Sequence, residues 1–235
     1  MDKPSKFGKG AKDENDKAHL GEGLAIHWRL PQWFPELSAQ QLGQFKVFHE
    51  ELLKANKSMN LIGVKTISHA DAIHFADCIL ASREMLKIIG KNEVFDIGVG
   101  NGLPGLIMSI LSPTTQTTLV VPDPKRAEFV TSLARQFGLN SLKVVTSQID
   151  KLPEGSMNFV VCRGLASISR SILVLRKPVK KGGVVFHMKG EEWFKEVSEI
   201  PTQLCSFWRP ALMAEYRLPI GEVNFSIVRT DKFSE

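Results

Sequence analysis

Apolar residues enter this chain late and in two different rhythms. Before Leu20 the sequence is rich in Lys, Asp, Glu and Gly and nearly free of large apolar side chains. Such a stretch cannot bury enough surface to offset the entropy of ordering, so residues 1–22 are expected to form a disordered tail. Residues 24–34 then place Trp28, Trp33 and Phe34 among His27 and Arg29. They read as aromatic packing across the outside of a domain, with stacking on nucleobases as the alternative. From Leu42 through Phe45, Phe48, Leu52 and Leu53 the spacing becomes helical, with Ser38 placed to cap the first turn and a polar stretch from Asn56 to Leu61 ending it. A second helix runs through Ala72, Phe75, Ile79 and Leu86, opened by Ser68 and stopped at Gly90. Residues 23–92 are therefore expected to form a helical extension.

From residue 93 short apolar runs alternate with helical segments, so residues 93–235 read as an α/β domain with a mostly parallel sheet. Strands are expected at 94–97, 117–121, 142–146, 157–162 and 184–188, with two more near 211–217 and 223–229. Helices fall at 126–137, closed by Gly138, at 168–175 and around 192–197, with a turn over 178–183. In an open α/β sheet, ligands sit beyond the carboxyl ends of the strands. The segments following Ile97, Val121, Thr146, Cys162 and Met188 should thus meet in one crevice.

The chemistry concentrates after the first of those strands. Gly98, Gly100, Gly102 and Gly105 permit tight turns and close approach to the main chain, and Pro104 suits a first helical turn. Two cofactors compete for such a loop. Gly100-Asn101-Gly102-Leu103-Pro104-Gly105 fits the G-x-G-x-x-G of dinucleotide sites, a weak signal by itself. The longer pattern, Asp96-Ile97-Gly98-Val99-Gly100-Asn101-Gly102, sets an acid before alternating glycines. That carboxylate can meet the cationic, amine-bearing end of S-adenosyl-L-methionine and would repel a pyrophosphate, which favours the sulfonium cofactor over NAD(P).

Composition adds exclusions. At 235 residues with 43% apolar content, the chain suits one domain with an appendage. A net charge of +5 leans towards a polyanionic partner without requiring one. Cys78, Cys162 and Cys205 are widely spaced, which suggests neither a disulfide framework nor a zinc site, and a reducing cytoplasm is the default. No apolar signal core follows Met1, and the longest apolar region is broken by Asp96 and Pro104, so neither a leader nor a membrane span is expected. His69 and His74 lie near Asp71 and Asp77 at no metal-binding spacing; they read as surface or capping residues, and no metal is expected.

With these segments in place, the chain resembles the glucose-inhibited division protein B family, bacterial methyltransferases acting on N7 of a guanine in 16S ribosomal RNA. The resemblance runs patchily from about residue 37 to 229. Its strongest piece is D-I-G-V-G-N-G-L-P-G-L from Asp96 to Leu106; Asn56-Lys57, Asn60-Leu61, His74 with Asp77, Lys125-Arg126, Arg163 with Ala166-Ser167, and Lys189-Gly190 support it. It implies a Rossmann-like class I S-adenosyl-L-methionine-dependent methyltransferase with a seven-stranded sheet and an N-terminal helical extension. By position, Gly98 and Leu103 would line the cofactor together with Asp96, Gly100 and Gly102. The Ile149-Asp150 turn would hold the adenine end, and Arg163 would face both cofactor and substrate. Arg163 and Lys189 are the candidates for catalysis; Asn56, Lys57, Arg163 and Lys189 are the candidates for substrate contact. The expected partner is 16S ribosomal RNA or the small ribosomal subunit, bound by a cytoplasmic monomer.

The chain also departs from that family. Val121 stands where an acid would accept the ribose hydroxyls, with Asp123 two residues later as the possible replacement. Cys162 replaces a serine and reads as a buried, inert thiol. Ile62 and Ile73 replace a threonine and an arginine. These changes leave two alternatives open: a methyltransferase of another substrate, or a non-catalytic RNA-binding relative. Guanine N7 would attack the methyl group without losing a proton, so no general base is expected, and the RNA would have to present its base splayed or single-stranded.

Overall fold

The computed structural model describes residues 25–98, 100–222 and 224–234; the expected tail lies outside the described residues. A short turn of helix, α1 (Leu30–Trp33), precedes the long α2 (Ala39–Met59). Ser38 closes a capping box on α2: its hydroxyl accepts from the Gln41 amide, and the Gln41 side chain accepts from the Ser38 amide. The second expected helix is more irregular than its periodicity suggested. A 3₁₀ segment (Val64–His69) and a π-helical turn (Asp71–Ala76) lead into α3 (Asp77–Ile89), and Ser68 lies inside the 3₁₀ segment instead of capping a helix. Arg29 explains part of this: its main-chain amide, Nε and Nη2 all donate to the buried Asp71 carboxylate at 2.8–2.9 Å, and Asp71 also accepts from the Ala72 amide.

The sheet contains β1 (Val94–Ile97), β2 (Thr117–Val120), β3 (Leu142–Val145), β4 (Met157–Arg163), β5 (Val179–Lys189), β6 (Trp208–Arg217) and β7 (Asn224–Lys232), in the order β3-β2-β1-β4-β5-β7-β6. The first five run parallel; β7 is antiparallel to both β5 and β6, so the sheet is mixed. Between the strands come α4 (Gly105–Leu111), α5 (Pro124–Gln136), a 3₁₀ turn (Ile149–Lys151), α6 (Ile168–Leu175), α7 (Trp193–Ser198) and α8 (Thr202–Cys205). Instead of a separate turn over 178–183, β5 begins at Val179 and bends through a register shift against β4, with Gly182 at φ +82°.

Both faces of the sheet are covered. Val161, Phe186 and Ile227 point into a cluster shared with α2, α3, α4 and α5, while their neighbours Val160, Val185 and Val228 point into a second cluster under α6, α7 and α8. Adjacent residues facing opposite layers is the period of a strand, and burial of both faces accounts for the continuous apolar runs. The helical extension is part of the first layer: Phe45, Phe48, Phe75 and Ile79 share one core with Leu106 and Ile107 of α4.

Candidate active site

The carboxyl ends of β1, β2, β4 and β5, with the turn after β3, meet at one edge of the molecule. There the glycine loop leaves β1 and passes close to its neighbours. A Cβ on Gly98 would lie 2.8 Å from the Arg163 carbonyl oxygen, so the end of β4 excludes any side chain there. Gly100 has φ +71°, and its Cβ would lie 2.7 Å from Val121 Cγ1. The glycines are thus required first by the loop's approach to its own sheet. Asn101, which the glycine pattern treats as a spacer, ties the loop to the extension: buried, it donates to the Leu61 carbonyl at 3.1 Å and accepts from the Leu103 amide at 3.1 Å. A polar residue between glycines was the only sequence signal for it.

Asp96 lies under the loop, 5% exposed, with Oδ2 accepting from the Gly105 amide at 2.8 Å at the start of α4. Burial pushes its carboxyl up to about 6, opposed by that hydrogen bond and by Arg163. Leu103 is buried in the first core cluster, so its side chain packs into the protein interior. Val121 is buried beside Gly100, and Asp123 is the exposed N-cap of α5, its Oδ1 accepting from the Lys125 and Arg126 amides at 2.8 and 3.1 Å. Ile149 is half-buried against the second cluster, with Asp150 exposed beside it. On the other side of the loop, Asn56 accepts from the Ile62 amide at 2.8 Å and so shapes the turn after α2; Lys57 is exposed on that helix's last turn. Arg126 donates to the carbonyls of Met59 and Asn60, joining this turn to α5.

Arg163 and Lys189 are less free than their positions at strand ends suggest. Arg163 donates from Nε to Asp77 Oδ2 at 2.9 Å, and from Nη2 to the Ile73 carbonyl at 3.1 Å and to His74 Nδ1 at 2.8 Å. Asp77 also accepts from the Tyr216 hydroxyl at 2.7 Å, and His74 Nε2 pairs with Thr66 Oγ1 at 2.8 Å. His74, Asp71 and Asp77 are therefore buried members of ion-paired networks, not the surface or capping residues their sequence spacing suggested. Burial and the Arg163 charge push His74 down to about 3, leaving it neutral. Asp71 is pushed up by burial, but the Arg29 hydrogen bonds and charge outweigh this and hold it below the usual carboxylate range. Lys189 donates to the Ala166 carbonyl at 2.8 Å and pairs with Glu196 of α7 at 2.8 Å; Glu196 also accepts from the Ile168 amide. Lys189 thus pins the segment between β4 and α6. Cys162 is buried, which pushes its thiol up and keeps it protonated.

This arrangement fits the sulfonium cofactor better than a dinucleotide. Gly98 and Gly100 are partly exposed and Gly102 is buried, with the Asp96 carboxylate beneath the loop and the exposed Asp123 and Asp150 following β2 and β3. Such a rim suits a cationic donor with ribose hydroxyls and disfavours phosphate. Among the described residues there is no cluster of His, Cys, Asp and Glu able to hold a metal ion, and no helix long and apolar enough to cross a membrane.

Known proteins share both the sequence and the architecture. Ribosomal RNA small subunit methyltransferase G 3 of Bdellovibrio bacteriovorus is 48% identical over 210 residues, covering 89% of this chain and 95% of its own. Ribosomal RNA small subunit methyltransferase G of a Ruegeria species is 30% identical, covering 69% and 79%. Among solved structures, P. horikoshii TYW2 in complex with MeSAdo superposes with a TM-score of 0.52 at 11% identity, over 69% of this chain and 63% of that one, which supports the fold alone. Residues 41–208 match the family described as rRNA small subunit methyltransferase G. The chain has a class I methyltransferase-like α/β fold, and it belongs to the GidB family.

Proposed function

We propose that this protein transfers a methyl group from S-adenosyl-L-methionine to N7 of a guanine in 16S ribosomal RNA. The observation that carries the reading is the 48% identity, over nearly the whole chain, to a protein named ribosomal RNA small subunit methyltransferase G 3. The loop at Gly98, Gly100 and Gly102 with Asp96 would hold the donor's charged end, Asp123 its ribose, and the Ile149-Asp150 turn its adenine. Bound there, the donor supplies an electrophilic methyl group on a sulfonium.

The chain's own residues would orient the reacting groups, and two side chains that could otherwise take a proton are already engaged. His74 is neutral with both ring nitrogens engaged, and Lys189 is bound to Glu196 and the Ala166 carbonyl. A target whose lone pair is already available, such as guanine N7, suits a site of this kind, where orientation and electrostatics do the work. Residues 25–92 would form the substrate-side wall, with Asn56 shaping it and Lys57 meeting phosphate. The methyltransferase unit proper would begin at residue 93. Ribosomal RNA as substrate implies action in the cytoplasm, and we read the active species as a monomer.

The test is to incubate the protein with methyl-labelled donor and small subunits lacking the modification, then map the label. The expected result is 7-methylguanosine in 16S RNA. Label at another atom or in another RNA, or none at all, would overturn the reading.

A further inference from the structure

The network behind Arg163 has a direction set by its own chemistry. Arg163 Nη2 can only donate, so His74 Nδ1 must accept, and the neutral ring carries its proton on Nε2. Nε2 then donates to Thr66 Oγ1, whose hydroxyl donates onward to the Gly63 carbonyl at 2.7 Å. On its other side the guanidinium donates to Asp77 Oδ2, and the remaining oxygen, Oδ1, is taken by the Tyr216 hydroxyl. The end of β4 is thus braced from α3 by Asp77, from the π turn by His74 and the Ile73 carbonyl, and from β6 by Tyr216.

Tyr216 is the chain's only tyrosine and sits one residue before the end of β6. Its ring stacks on Phe225 of the neighbouring strand, with centroids 6.1 Å apart and planes 22° apart, so the hydroxyl is aimed by β-sheet geometry. Burial, and then the charge and hydrogen bond of Asp77, push this hydroxyl upward, so it remains a donor. A phenylalanine would fill the same space and stack in the same way, but would lack the hydroxyl that donates to Asp77 at 2.7 Å.

We propose that Tyr216 is a positioning residue for methyl transfer: through Asp77 it fixes the guanidinium of Arg163, the residue at the end of β4 whose main-chain carbonyl lies beside Gly98. This rests on the reading above of Arg163 as facing the methyl donor and the RNA. With the Asp77 carboxylate anchored at both oxygens, it can hold the Arg163 Nε–H in one geometry. Without the hydroxyl the carboxylate can rotate, and Arg163 loses one of its braces.

The test uses full-length Tyr216→Phe, Arg163→Lys and the double variant, with two independent readouts. The first is the Arg163 Nε–H resonance in ¹⁵N-labelled protein, assigned by its loss in Arg163→Lys. In Tyr216→Phe it is expected to shift and exchange faster with solvent at a temperature where both proteins are fully folded. The second is single-turnover methyl transfer to small subunits. Tyr216→Phe is expected to lower the rate about tenfold, the scale of one hydrogen bond to a charged group. In the Arg163→Lys background the same change should have little further effect, because the group it acts through is gone. An unmoved Nε–H signal, or an equal loss of rate in both backgrounds, would overturn the proposal. A shifted Nε–H signal in a protein that methylates no ribosomal RNA would uphold the positioning of Arg163 and overturn the RNA reading instead.

Discussion

Replacing Asp96 by Asn separates what this carboxylate does for the ligand from what it costs the fold. Burial raises its carboxyl from 3.8 to about 6, about two pH units of penalty on the charged form. At 1.36 kcal/mol per unit this sets an upper limit of ~3 kcal/mol against folding at neutral pH. The Asn carbonyl can still accept from the Gly105 amide, while the new NH₂ takes the place of Oδ1 with no assured partner, which returns about 1–2 kcal/mol. The net gain of ~1–2 kcal/mol should raise Tm by roughly 3–6 °C at pH 8 for a chain of this size. The sign follows from proton counts. Because the folded carboxyl binds its proton more tightly than the unfolded one, the contribution of Asp96 to wild-type stability falls as pH rises from about 4 to about 6. The advantage of Asn should therefore be full above pH 6 and fade towards pH 4. Calorimetry with S-adenosyl-L-methionine should show affinity reduced by about 10–100-fold through loss of a charged partner. A lower Tm at pH 8, or a gain independent of pH, would refute the assignment of Asp96 as a strained buried charge; unchanged affinity would refute its contact with the donor.

Other consequences can be measured directly. Gly98→Ala brings a methyl group within 2.8 Å of the Arg163 carbonyl, so the loop or the end of β4 must move; donor binding by calorimetry should fall sharply, and retained affinity would count against the loop as cradle. Asn101→Ala leaves the Leu61 carbonyl and the Leu103 amide unpaired and should cost about 2–3 kcal/mol in urea unfolding, with weaker donor binding. His49 is buried between Trp28 and Phe75 with neither ring nitrogen bonded among the described residues, and burial, then the Lys46 charge, lower it to about 4. Its folded form resists protonation, so stability should be lost as pH falls from 6.5 towards 4, by up to ~3 kcal/mol. His74 and His187, lowered by burial to about 3, act in the same direction, so His49→Leu should remove only its own share of that slope, followed by Trp fluorescence, and an unchanged slope would exclude His49 as a contributor.

Much of this protein is written locally. The Ser38 cap and the strand run at 94–97 depend on neighbours close along the chain and fold where their residues indicate, and the run expected at 142–146 forms a strand over 142–145. The extent of α6 at Ile168–Leu175 agrees with its periodicity because it presents one apolar face to one layer. Pairing across the chain is a different matter. Periodicity treats His74, Asp71 and Asp77 as polar punctuation on a helix, yet their partners Arg163, Arg29 and Tyr216 lie 42 to 139 residues away. The π turn is legible only beside those partners. Lys189 carries the same formal charge at a strand end whether it meets solvent or Glu196, and only packing of α7 against α6 decided which. Sequence by itself determined most of the elements and the glycine pattern after β1, because backbone conformation and apolar period are short-range. The tertiary structure alone decided which charges are spent holding the site together, because desolvation and ion pairing depend on residues brought close only by folding.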